Sequence, residues 1–166
     1  MQAEPPASTP DHDCAEMLRH LFETSEAGRK AAASLSESAC VGVRLTDFAG
    51  DFNFHAVGGK PRFEPGKAEE PDFELTLPPA AVHEICGKPS GDVGDLGVLF
   101  LQHVFAEEPE KKILVKVHSG LIKLTMRGWL HVAIAGCPKV IGWFAQMGLL
   151  KGPSAVASVL SRFKRH

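Results

Sequence analysis

The chain predicts an α+β domain: a mainly antiparallel sheet of about five strands, with helices covering one face. Two observations carry that expectation. DFNFHAV (residues 51–57) and DFELTL (72–77) alternate apolar and polar residues with a period of two, while other stretches repeat at helical spacing. The elements follow in the order helix, hairpin, strand, two helices, two strands, two helices, which is neither all-α nor all-β. A chain of 166 residues, 44% hydrophobic and 23% charged, suits one core and leaves no room for two. The expected organisation is a disordered leader over 1–12, one domain over 13–150, and a basic amphipathic helix over 151–166.

Each element has a local reason. Asp13-x-x-Glu16 imitates a capping box, and Cys14, Met17, Leu18, Leu21 and Phe22 then fall on one helical face, predicting a helix that runs through Ala31–Ala33 to Leu35. VGVRLTDF and DFNFHAV, divided at Gly50, form a hairpin, and the turn-rich stretch from Gly58 to Pro71 is a loop, or a long hairpin connection with a little strand near Arg62–Glu64. In DFELTL, Phe73, Leu75 and Leu77 face one side and Asp72, Glu74 and Thr76 the other. Pro78-Pro79 stops that strand and starts a short helix, closed by Gly87. A further helix runs from Asp92 or Val93 to Glu108, with a stripe of Leu96, Leu99, Phe100, His103 and Val104. Its Gly94 and Gly97 either allow close packing or loosen the first turn. KKILVKV and LIKLTMRG read as strands, the second with Lys123 and Arg127 turned outward. WLHVAIAG reads as a continuing strand in preference to the start of the next helix. That helix is placed from Pro138 to a cap at Gly148, with Val140, Ile141, Phe144 and Met147 as its stripe. In the last helix Val156, Val159, Leu160 and Phe163 share a face opposite the basic residues.

The chemistry that is missing narrows the function. No phosphate-binding glycine loop, nucleophile elbow or H-E-x-x-H motif is present. His83-x-x-Cys86 has the spacing of two ligands on one helix face, but no second pair completes a metal site, so no metal or other cofactor is expected. Cys137, before Pro138 at the expected helix start, is a candidate nucleophile with a lowered pKa, or a buried inert thiol; the second is favoured. Asp51 and His55 share an outer strand face. The net charge of -2 gives no push toward nucleic acid. The ends differ, however: Met1–Glu26 holds six acids against Arg19, and Lys151–His166 holds four cations and no acid. Those are two solvated ends, or a basic tail in transient contact with lipid headgroups. The opening residues lack the features of a secretory signal, so a cytoplasmic location with reduced thiols is the expectation. Residues 120–136 are too interrupted by Lys123, Arg127 and His131 to span a bilayer.

What remains is a surplus of large apolar side chains: Phe100, Val104, Phe105, Met126, Trp129, Trp143, Phe144 and Met147. Each taken singly is more often core than pocket. Together they suit an irregular apolar guest.

Two stretches, DFELTLPPAAVHEICG and GLIKLTMRG, together with the order of elements, resemble the sterol carrier protein type-2 family over about Cys40–Leu149. The chain departs from that pattern in a longer insertion between the two pieces and in the Trp129 that follows Gly128. The resemblance implies a five-stranded sheet layered against helices around an apolar tunnel for a sterol, fatty acid or fatty acyl group, with no covalent chemistry. Carried onto this chain, it implies a lining drawn from Phe73, Leu75, Leu77, Val82, Ile85, Leu124, Met126, Trp129, Val140, Phe144 and Met147, to which Phe100 and Val104 are added from the apolar surplus. An interaction module with a filled cavity, and a small enzyme using Cys137, are the competing expectations.

Overall fold

The computed structural model describes residues 10–88 and 91–146. Five strands, β1 (Cys40–Leu45), β2 (Asp51–Val57), β3 (Lys60–Pro65), β4 (Phe73–Leu77) and β5 (Leu114–Val117), form one sheet in the order β3-β2-β1-β4-β5. The sheet is mixed and not mainly antiparallel, because β4 runs parallel to β1 while the other three pairings are antiparallel. The long loop after β3 allows this: it carries the chain back before β4 begins, as a tight hairpin could not. Alternation fixes the inner face. Val41, Val43, Phe52, Phe54, Phe63, Phe73, Leu75 and Val115 stand opposite one another in register.

The leading helix is not continuous. α1 (Pro10–Arg19) passes into one π-helical turn, His20–Thr24, and α2 (Glu26–Ala33) restarts after Ser25. Ser25 is extended (φ -66°, ψ 151°), and its hydroxyl accepts from the Gly28 amide at 2.9 Å, a side-chain cap. A side chain at Gly28 would strike the Leu21 and Phe22 carbonyls, so that position requires glycine. α3 (Pro79–Cys86) follows β4 with proline in its first turn, as expected. α4 (Val93–Val104) is capped by Asp92 and stops before the predicted Glu108; buried His103 holds the returning loop through the Lys111 carbonyl at 3.0 Å and the Ile113 amide at 3.1 Å.

The largest correction lies in residues 120–146. LIKLTM is a helix, α5 (Leu121–Met126), and WLHVAIAG opens a second one, α6 (Trp129–Gln146), with Pro138 in its interior. The alternation of Ile122, Leu124 and Met126 misled because six residues fit either period. Gly128 decides the matter. At φ +91° it terminates α5, its amide reaching the Thr125 carbonyl at 3.1 Å, and a Cβ there would collide with the Ser34 backbone. In α6 the inward residues Trp129, Val132, Gly136, Val140 and Trp143 recur at helical spacing. Gly94 and Gly97 of α4 meet Gly136 and Val140 of α6, so these glycines serve close helix packing. The predicted cap at Gly148 and the helix over 151–166 lie outside the described residues, as does most of the predicted leader; α1 begins at Pro10.

Candidate functional site

Between the sheet and the helices lies a cavity of about 350 Å3 that opens to solvent. Its floor is the inner face of β1, β2, β4 and β5. Its walls come from α1, the π-helical turn, α2, α3, α4 and α6, and every lining side chain is apolar. Leu18, Leu21 and Phe22, at i, i+3 and i+4 across the end of α1 and the π turn, stand together on this wall. A second depression, of about 440 Å3, is larger, but His20, Glu26 and Lys88 line it and it borders residues outside the described set. A third, on the outer sheet face, holds only about 80 Å3. The apolar hollow is therefore the site with a distinct chemistry.

Of the sequence-derived lining residues, Phe73, Leu75, Leu77, Ile85, Phe100 and Trp129 border this cavity. Val82 is fully buried in the adjoining core, and Val104 packs against that core. Val140 sits at the crossing of α4 and α6, against Gly97. Leu124 is partly buried on α5, and Met126 is 79% exposed, because a helix replaces the strand that was to aim both inward. Phe144 falls on α6, and Met147 lies outside the described residues. Reading the sequence missed Leu18, Leu21, Leu96, Val115 and Val132 as lining. All five sit on apolar faces, but periodicity alone does not tell a filled position from one beside a void.

One end of the site is held by Asp72, read from the sequence as an outward strand residue. It is fully buried just before β4. Its carboxylate accepts from Arg127 at 2.7 Å, the Trp129 indole at 2.8 Å, the Ser119 hydroxyl at 2.5 Å and the Cys40 amide at 3.3 Å. Arg127 is correspondingly turned inward and not to solvent, its side chain 13% exposed. A lone arginine in an apolar run was the available signal: buried charge demands a partner. The consequence reaches the cavity. With its N–H tied to Asp72, the indole of Trp129 stands edge-on to Phe73, ring centroids 5.1 Å apart, and offers the cavity only its apolar surface.

The polar candidates do not converge. Cys137 lies within α6, not at a helix N-terminus, so the dipole argument for its activation no longer holds. His118 pairs with Glu74 at 2.9 Å, Asp51 with Arg44 at 2.9 Å, and His55 with Asn53 at 2.9 Å. His83 faces the Cys14 sulfur at 3.8 Å, and burial pushes the Cys86 thiol up to about 12. Among the described residues no three His, Cys, Asp or Glu side chains come together to hold a metal ion.

Fold and site together define an α+β domain in which a five-stranded mixed sheet and one layer of helices enclose an apolar hollow. Two solved structures similar to it are a UbiJ-SCP2 ubiquinone synthesis protein (16% identity, TM-score 0.39, covering 80% of this chain and 94% of that one) and the sterol carrier protein domain 2 of Helicoverpa armigera (16%, 0.42, 82% and 95%). No protein-family model and no curated protein matches the chain.

Proposed function

We propose that the chain binds an apolar small molecule, a sterol, fatty acid or fatty acyl group, non-covalently in the cavity between sheet and helices. The observation that carries this reading is a hollow of about 350 Å3 without a polar lining side chain. Water gains nothing there, since it needs two to four polar partners. The lining side chains have no packing partners on the side of the hollow and forgo dispersion contacts there. A hydrocarbon guest restores those contacts. Burying about 400 Å2 of its surface is worth on the order of 10 kcal/mol gross, which the cost of association brings toward micromolar affinity.

The lining also constrains how such a guest sits. A hydroxyl or carboxyl buried without a partner costs about 1–3 kcal/mol or more, so a polar end belongs at the opening and the hydrocarbon inside. Native mass spectrometry of the purified protein tests the reading, with an added mass in the range of a lipid expected. Val115→Trp, which projects a large ring into the hollow from β5, should abolish that added mass while leaving a cooperative thermal transition. A wild-type protein without a retained mass and without affinity for fluorescent fatty acids or sterols would end the proposal.

A further inference from the structure

Of the described residues lining the hollow, only Trp129 carries a nitrogen or oxygen in its side chain. Its indole N–H is thus the one side-chain group there able to hydrogen-bond a guest, and it is already engaged. It donates at 2.8 Å to Asp72, which is fully buried. Asp72 has no capacity left for a guest either. A carboxylate offers about four acceptor sites. Besides the indole, this one takes Arg127 at 2.7 Å, the Ser119 hydroxyl at 2.5 Å and the Cys40 amide at 3.3 Å. Its backbone is equally committed: the Asp72 amide donates to the Cys40 carbonyl at 2.7 Å, and the Asp72 carbonyl accepts from the His118 amide at 2.9 Å.

Fastening β4 to the turn at Gly128 does not require this arrangement. A buried ion pair adds little net stability, and well-packed apolar side chains of similar volume hold such a junction as well or better. What apolar side chains cannot do is accept the indole N–H. Without an acceptor, that N–H is an unsatisfied donor at the edge of the hollow, and the ring is free to turn it toward an oxygen on a guest. Trp129 serves as an apolar wall because Asp72 takes its one polar atom. Asp72 in turn can be buried because Arg127 balances its charge.

We propose that Asp72 determines the specificity of the hollow: by occupying the Trp129 N–H, it makes the site reject guests that carry a hydroxyl along the buried chain. This rests on the reading that the hollow takes an apolar guest, and it names which members of that class are refused. Asp72 touches no guest; it is a positioning residue that acts through Trp129. The test is displacement of a fluorescent fatty acid by stearic acid and by 12-hydroxystearic acid, which differ by one mid-chain hydroxyl. Wild type is expected to bind the hydroxy acid roughly ten- to a hundredfold more weakly. Asp72→Leu with Arg127→Leu removes both charges together and releases the N–H, and should narrow that gap by about fivefold or more. Adding Trp129→Phe to this pair should restore the wild-type ratio, because no N–H remains to meet the hydroxyl. A site merely loosened by the Leu pair would stay permissive in the triple variant, and that result overturns the proposal. If the Leu pair does not fold, the unmodified protein still decides. The indole N–H resonance of Trp129, identified by its loss in Trp129→Phe, is expected to exchange slowly with deuterium oxide both with and without stearic acid. Rapid exchange, equal affinity of wild type for the two acids, or an unchanged ratio in a folded Leu pair removes the role of Asp72 and leaves the hollow standing as a lipid site. A wild type that binds neither acid fails at the earlier reading, and the role of Asp72 falls with it.

Discussion

The two halves of one sheet are packed in opposite ways. Over β3 and the adjoining part of β2 the interior is solid: Phe52 and Phe63 stack with ring centroids 5.3 Å apart and Phe63 is 1% exposed, while Phe22 and Phe54, 4.8 Å apart, close the edge of the cavity on that side. Over β4 and β5 the facing residues Phe73, Leu75 and Val115 are only partly buried and look into the cavity. Both halves are equally apolar, so hydrophobicity does not explain the difference. The helices do. α1, the π turn and α2 pack directly on β3, with α2 also on β2, whereas α4 packs chiefly on α6, drawn close through Gly94, Gly97 and Gly136. A pair of helices committed to each other stands off from the strands beneath, and the gap is the hollow.

That contrast can be broken first by truncation. Phe63→Ala removes a ring enclosed on all sides and should cost about 3–5 kcal/mol in denaturant unfolding, while Leu75→Ala, already facing a void, should fall near or below the ~2 kcal/mol low end of such changes. Equal losses would mean that the hollow is packed in solution. The opposite substitution sharpens the same point with a smaller effect. Ala56→Leu enlarges a fully buried position of β2 and should destabilise by about 1–3 kcal/mol. Val132→Leu, from α6 into the cavity, should be neutral or slightly stabilising and should reduce uptake of a fluorescent fatty acid.

The solid half was far more legible than the hollow one. Strict alternation in DFNFHAV placed β2 correctly, since a half-buried strand writes its inner face into every second residue, while β3, Lys60–Pro65, was legible only as a loop or a little strand near Arg62–Glu64. DFELTLPP and the short helix after it were equally plain. What misled was local ambiguity resolved by distant contacts. Leu121–Met126 fits strand or helix until Gly128 must pass the Ser34 backbone, and Asp72 looks solvent-facing until Arg127, Trp129 and Ser119 close on it from beyond position 118. The parallel pairing of β4 with β1 has no local signature either. The cavity is a property of helix–helix distances, which a side-chain pattern does not encode.

The smallest effect probes the two faces of a single strand. Glu74 lies between Phe73 and Leu75 on β4 but points to the outer surface, where its hydrogen bond with His118 holds its carboxyl below the usual carboxylate range. A carboxyl lowered on folding stabilises the native state at pH values above its unfolded pKa, and that contribution disappears as the pH falls through the folded value. Glu74→Gln should therefore cost no more than about 0.5 kcal/mol near neutrality, as expected for an exposed pair. The difference from wild type should vanish in acid, as followed by thermal melts across pH. Guest binding should not change at all, because the altered group is separated from the hollow by the sheet itself. If Glu74→Gln altered ligand retention as strongly as Leu75→Ala, the inner face of β4 would have no special role and the guest would have to sit elsewhere.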